Sequence, residues 1–173
     1  MRLPLRRKSS LEAAIGKGNR EGRTVNPTSD TCPICKHSQD VKNDRDGSDT
    51  YHCHCPVCGK YEIPFTAFAE YGNHSTPNRK LSAWIREQNE RGEPPRFTQE
   101  KTIASILAGI PNYRPLEKQL KLLQAIERRS DVPGIQVTLS ADKDVPLAYS
   151  STSEELAFYL RALEERKLLK SST

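Results

Sequence analysis

Two Cys-x-x-Cys pairs constrain this chain more than any other feature. The first is Cys32-Pro33-Ile34-Cys35, the second is Cys55-Pro56-Val57-Cys58 with Gly59 behind it, and nineteen residues lie between them. Each such turn delivers two thiolates to neighbouring corners of a tetrahedron, and two turns complete it. The spacing predicts a zinc site with Cys32, Cys35, Cys55 and Cys58 as ligands. The intervening residues suffice for two short strands and a turn, which would bring the second pair back to the first. A four-thiolate shell leaves no corner for water or substrate, so the expected ion is structural and performs no hydrolysis. It stands in for a hydrophobic core too small to hold by itself. The His-x-Glu that a zinc deaminase needs does not occur in the sequence.

The same module carries Cys53, His52, His54 and His37. These are alternative ligands, donors to the ligand sulfurs, or surface residues. A swap of His54 or Cys53 for Cys55 is chemically permitted. A nucleophilic Cys53–His pair is disfavoured, because strand neighbours point to opposite faces. Alternation puts Tyr51, Cys53 and Cys55 on one side and His52 and His54 on the other. Residues 42–50, rich in Asn, Asp, Gly and Ser, read as the hairpin tip. They do not fit a calcium loop: with Gly47 as sixth residue, the first is Lys42 and the twelfth is Cys53.

Charge is unevenly placed. Residues 1–29 hold seven Lys/Arg against Glu12 and Glu21, whereas residues 30–173 hold twenty of each sign. The excess is therefore an N-terminal arm, with Arg2, Arg6, Arg7 and Lys8 at its start. It suits an anionic partner such as nucleic acid, or else is a solvated tail. Ser9 or Ser10 can cap a short helix through Leu11, Ala14 and Ile15. Gly16-Lys17-Gly18 lacks the other residues of a phosphate loop. Hydrophobic residues make up 35% and aromatics 6%, which argues for two small cores and not one large one. No apolar run approaches the ~20 residues that span a bilayer. Pro4 between Leu3 and Leu5, with no apolar core behind, argues against a secretory signal. Five cysteines, an odd count in Cys-x-x-Cys context, fit a reducing, cytoplasmic compartment better than a disulfide scaffold.

Beyond the metal module the period becomes helical. Leu81, Trp84, Ile85 and Gln88 share a stripe, closed by Gly92 and Pro94-Pro95. Thr98 is a candidate cap for the next helix, with Ile103, Ile106, Leu107 and Ile110. Pro115 opens a third, with Leu116, Leu120, Leu123 and Glu127 along one face and Leu122 and Ile126 beside it. Ile135, Val137 and Leu139 then alternate with polar residues as a strand does, and residues 145–149 suit a second short strand. Thr152 and Glu155 form a capping box for a helix to about Lys167, with Leu156, Tyr159, Leu160 and Leu163 as its stripe. Leu168-Leu169 reads as the start of another strand.

Trp84 lies on an apolar stripe and is expected in a core. Tyr61, at a ribbon edge, suits core packing or stacking on a base. Arg79, Lys80, Arg86 and Arg91 can meet phosphates, but Glu87, Glu90 and Glu93 interleave with them, which reads first as a solvated helix face.

The pattern Cys-Pro-x-Cys followed by Cys-Pro-x-Cys-Gly-x-Tyr resembles zinc-ribbon proteins of bacteria and phages. The phrase Glu154-Glu155-Leu156-x-x-Tyr159-Leu160-x-x-Leu163-Glu164-Glu165-x-x-Leu168-Leu169 resembles the part of winged-helix domains that leads into the wing. Lys167 stands where those domains usually have glycine. The combination is similar to N-terminal modules ahead of effector domains in bacterial antiphage proteins, and that resemblance implies sensing or recruitment without an activity. The expected fold class is α+β, mainly α: a basic flexible arm (1–30), a zinc ribbon (31–66) and a helical, winged-helix-like domain (67–173). The expected function is a non-enzymatic module, carrying Zn2+, that binds nucleic acid or a nucleoprotein complex. Arg2, Arg6, Arg7, Lys8, Arg79 and Lys80 are the candidate contacts. The balanced charge of residues 30–173 favours the alternative, an adaptor that binds a protein complex, since a nucleic-acid face should be basic.

Overall fold

A computed structural model describes residues 30–45, 47, 49–130, 132, 136–140 and 142–170. The arm, with Arg2, Arg6, Arg7, Lys8 and the Ser9–Ile15 helix, lies outside the described residues. Among the described residues the architecture is α+β, with a three-stranded antiparallel sheet followed by five α-helices. The strands are β1 (Lys42–Arg45), β2 (Thr50–Cys55) and β3 (Gly59–Pro64), in that order across the sheet. The alternation read for β2 is present: Tyr51, Cys53 and Cys55 are buried while His52 and His54 are exposed. The polar run at 42–50 is not all turn. Its first half is β1, with Lys42 opposite His54 and Arg45 opposite Tyr51. Pairing with β2 satisfies the backbone there, and an exposed edge strand tolerates polar side chains.

The helices are α1 (Phe65–Asn73), α2 (Arg79–Glu90), α3 (Ile103–Gly109), α4 (Pro115–Arg128) and α5 (Ser153–Glu165). Asn78 caps α2 by accepting the Leu81 N–H at 3.0 Å. Gly92 ends it at φ +82°, with the Glu93 N–H on the Gln88 carbonyl at 2.9 Å. Thr98 does not cap α3. It accepts the Lys101 N–H in a local turn, and Thr102 caps the helix through Ser105. In α4 the buried face is Gln119, Leu122 and Ala125, whereas Leu116 and Leu120 are 63% and 55% exposed.

No strand forms over residues 136–140, and residue 135 lies outside the described residues. Residues Val145–Ala148 form a single 3-10 turn that Tyr149 closes at φ +51°. Pro146 has no N–H for a ladder, and Asp144 accepts the Leu147 N–H instead. Thr152 caps α5 at Glu155, but the Glu155 carboxylate accepts the N–H of Ser151, one residue before the box would place it. The helix stops at Glu165. Lys167 takes φ +60°, and the N–H of Leu168 returns to the Leu163 carbonyl at 3.0 Å. That is a Schellman stop with lysine in the glycine position, and Leu168-Leu169 does not continue as a strand. Among the described residues α5 therefore leads into no wing, and the one sheet belongs to the ribbon.

Two buried clusters form the interior. The first joins the ribbon to Phe68, Leu81, Ile85, Phe97 and Ile103; the second joins Leu122, Ala125, Leu147, Leu156, Tyr159 and Leu163. Residues 95–97 run along the open edge of β3, where Glu62 bonds Pro95 and Phe97 through the backbone. The seam between the clusters is ionic. Asp144 bonds Arg86 at 3.4 Å and Arg129 at 2.9 Å, and Glu90 meets Arg86, Arg128 and Arg129. Glu87 is only 7% exposed. The acids of α2 are thus not a solvated face; they are consumed inside this seam. Among the described residues, no helix is long and apolar enough to cross a membrane.

Candidate metal centre

The two knuckles are built alike. In the first, the Lys36 N–H returns to the Cys32 carbonyl at 3.0 Å and the Cys32 N–H to the His37 carbonyl at 2.8 Å. The second joins β2 to β3, and the Cys58 N–H points at Cys55 Sγ at 3.5 Å. The residue after each pair has a left-handed backbone, Lys36 at φ +65° and Gly59 at φ +95°. Glycine is needed at the second for a further reason: a Cβ there would lie 2.4 Å from Asn89 Cγ.

Cys32, Cys35, Cys55 and Cys58 are all buried, and their sulfurs lie within 4.8 Å of one another. Cys32 and Cys58 Sγ are 3.8 Å apart, and Cys35 and Cys55 Sγ are 3.5 Å apart. A tetrahedral ion with metal–sulfur bonds of about 2.3 Å requires sulfurs about 3.8 Å apart. A disulfide requires about 2.05 Å, so these are separate thiols facing a common centre. The quartet can hold a metal ion.

Electrostatics argue the same way. Burial opposes a Cys32 thiolate, yet hydrogen bonds from the Cys35, Cys55 and Cys58 sulfurs outweigh it and hold Cys32 well below an ordinary thiol. Burial first, then the neighbouring sulfurs, push Cys58 well up. Without a cation the cluster favours partial ionisation; a bound cation lets all four ionise, with release of protons.

The supports come from α1, β3 and α2. The Tyr61 hydroxyl lies 3.1 Å from Cys32 Sγ and the Ser82 hydroxyl 3.2 Å from Cys58 Sγ. Arg86 donates to the Pro56 carbonyl at 2.9 Å, and Asn89 clamps Lys60 N–H and carbonyl at 2.7 and 2.8 Å. Ser82, Arg86 and Asn89 fall at i, i+4 and i+7, so one face of α2 braces the second knuckle. Lys36 donates to the Tyr71 and Gly72 carbonyls at the end of α1, bracing the first.

Sequence reasoning found the four cysteines and missed these supports. The polar i, i+4, i+7 stripe of α2 was the available signal. Tyr61 is 2% exposed, so it is no stacking platform; its ring packs edge-on to Phe97. Cys53 is buried outside the quartet, and burial pushes its thiol up, which makes it inert. His52 lies 3.5 Å from Glu62, and neither it nor His54 belongs to the cluster. Of the proposed phosphate contacts, Arg86 and Arg91 are engaged with Asp144, Glu90 and Glu87. Lys80 reaches the neutral Asn112. Arg79 lines a cavity of about 360 Å³ beside Cys35, Lys36 and the first turn of α5. No protein-family model, no curated protein and no solved structure matches this chain.

Proposed function

We propose that this chain is a non-enzymatic recognition module whose ribbon is held by Zn2+ and which binds nucleic acid or a nucleoprotein complex. The carrying observation is the closed, buried quartet of sulfurs. Four soft thiolates in a tetrahedron are the preferred shell of zinc. Such a shell has no open position, so the ion shapes the surface and takes no part in a reaction. The free thiols suit a reducing, cytoplasmic compartment. The nucleic-acid reading draws on Arg2, Arg6, Arg7 and Lys8 of the arm, and on Arg79 and Lys80 in the first turn of α2. Arg79 has no ion-pair partner among the described residues. The resemblance of the motifs to antiphage modules supports a sensing or recruiting role. Fluorescence anisotropy with single- and double-stranded DNA and RNA tests the reading. Six phosphate contacts predict a loss of about 10³ in affinity between 50 and 200 mM salt. No binding at the lower salt removes it.

One observation favours the adaptor reading. Leu116 and Leu120 on α4 and Phe158 on α5 are more than half exposed, and exposed apolar side chains of this size suit a protein partner. Co-purification of a stoichiometric protein without nucleic acid would select it.

A further inference from the structure

A second cleft, of about 330 Å³, opens between α2, α3 and the residues that lead into α4. Trp84, Tyr113 and Tyr149 are its aromatic lining. Tyr113 stands edge-on to Tyr149 with centroids 4.7 Å apart, and the Lys121 ammonium is 5.2 Å from the Tyr113 ring. Trp84 is half-buried against Phe97, and the Lys101 ammonium lies 5.9 Å from its ring.

The polar groups narrow the occupant. Glu87 is already satisfied: it accepts from Tyr149 Oη at 2.7 Å, Lys121 at 2.8 Å and Arg91 at 2.5 Å. One carboxylate therefore faces two cations, and the Lys101 ammonium over the Trp84 ring adds a third positive charge nearby. This balance repels a cationic ligand and rules against an ammonium cage. Gln88 also lines the cleft, and its side-chain amide has no partner among the described residues. An amide offers a donor and an acceptor side by side, which matches the polar edge of a base. Ring surface, an unspent amide and adjacent cations together describe a planar heteroaromatic ligand carrying phosphate.

We propose that this cleft holds one unstacked base of a single-stranded nucleic acid. Trp84 and Tyr113 supply the stacking surface, Gln88 the edge contact, and Lys101, whose ammonium has no carboxylate partner among the described residues, the contact to the flanking phosphate. The proposal rests on the nucleic-acid reading above and adds to it the strand form and the site. One glycine gives a handle on the cleft. Gly109 lines the cleft on α3, and a Cβ there meets nothing within 4 Å. A larger side chain would enter the space the base needs.

Trp84 is the sole tryptophan of the chain, so its fluorescence reports on this cleft alone. The full, metal-loaded chain is titrated with ten-nucleotide homopolymers, with a duplex and with mononucleotides. Anisotropy of labelled strands is read in parallel. The expected result is saturable Trp84 quenching by single strands and none by duplex. Gly109→Leu lowers single-strand affinity by about tenfold. Gln88→Ala, a half-buried position with no bond to lose, alters the preference among the four homopolymers. Single strands that bind Gly109→Leu as tightly as the parent, with Trp84 unquenched, overturn the cleft and leave the nucleic-acid function standing. Mononucleotides that quench Trp84 while no strand binds overturn the proposal, since the cleft would then take a free nucleotide, and remove the nucleic-acid function with it. Quenching by neither ligand overturns the site outright.

Discussion

Two tyrosines on adjacent strands offer a matched test of the metal centre. Tyr51 and Tyr61 are 1% and 2% exposed, and both rings belong to the ribbon core. Tyr51 stacks on Phe68 at 4.1 Å, and Tyr61 meets Phe97 at 6.2 Å. Phenylalanine keeps both ring contacts and deletes only an oxygen. The two hydroxyls differ. That of Tyr61 is 3.1 Å from Cys32 Sγ, and a metal-bound thiolate can only accept, so Tyr61 donates. That of Tyr51 is buried without a hydrogen-bond partner among the described residues. Deleting a donor to a metal ligand costs 10–100-fold in metal affinity as an order of magnitude, or about 1.4–2.7 kcal/mol. Deleting an unpaired buried hydroxyl relieves a desolvation penalty, for a gain of about 1 kcal/mol. Tyr61→Phe should therefore weaken metal binding while Tyr51→Phe leaves it unchanged and raises Tm. For a chain of this size the two melting points should separate by roughly 5–15 °C. Competition with a chromophoric chelator measures the affinity, and thermal melts in reductant measure stability. The reasoning fails if both variants shift Tm in the same direction, or if Tyr61→Phe holds metal within twofold of the parent.

The remaining predictions concern the supports and the seam. Cys53→Ser should keep one metal per chain by mass spectrometry, whereas Cys58→Ser should lose it; equal loss would place Cys53 in the shell. Gly59→Ala forces a left-handed alanine into Asn89 and should cost about 2 kcal/mol or more, read as a chemical-denaturation midpoint; no change would mean that the Asn89 clamp is unimportant. Asp144→Ala leaves Arg86 and Arg129, which are each 20% exposed, to share Glu90 with Arg128 as their remaining carboxylate. A cost of about 2–3 kcal/mol is expected, below the fully buried case, and a neutral result would deny the seam its role. Burial pushes Glu87 up, but Lys121, Tyr149 and Arg91 outweigh it and hold the carboxyl below its ordinary 4.5. A depressed carboxyl stabilises fully above about 4.5 and ceases to as pH falls through its folded value. The stability gap between the parent and Glu87→Gln should therefore shrink on acidification below 4.5; a gap constant from pH 7 to 3 contradicts this.

The metal quartet was legible because ligand spacing is a local property and thiolate chemistry is narrow. Tyr51, Cys53 and Cys55 were likewise legible, since alternation on one buried face has period two. What failed was decided by tertiary contact. Lys42 to Arg45 look like turn residues, and only the partner strand makes them β1. Thr98 and Thr102 are equally good caps in sequence, and packing of Ile103 selects the second. Leu116, Leu120 and Leu123 form a stripe as regular as Gln119, Leu122 and Ala125, yet Leu116 and Leu120 stay exposed while Leu122, Leu123 and Ala125 meet the second core. Glu87 and Glu90 read as solvated because their partners, Lys121, Arg128 and Arg129, lie more than thirty residues away. Lys167 occupies a position where glycine is usual, and it does adopt the left-handed turn.

X-ray absorption on the purified chain tests the central claim most directly. The account predicts one zinc per chain with four sulfur neighbours at about 2.3 Å and no nitrogen or oxygen ligand. A chain free of metal, or a shell containing nitrogen or oxygen, would contradict it.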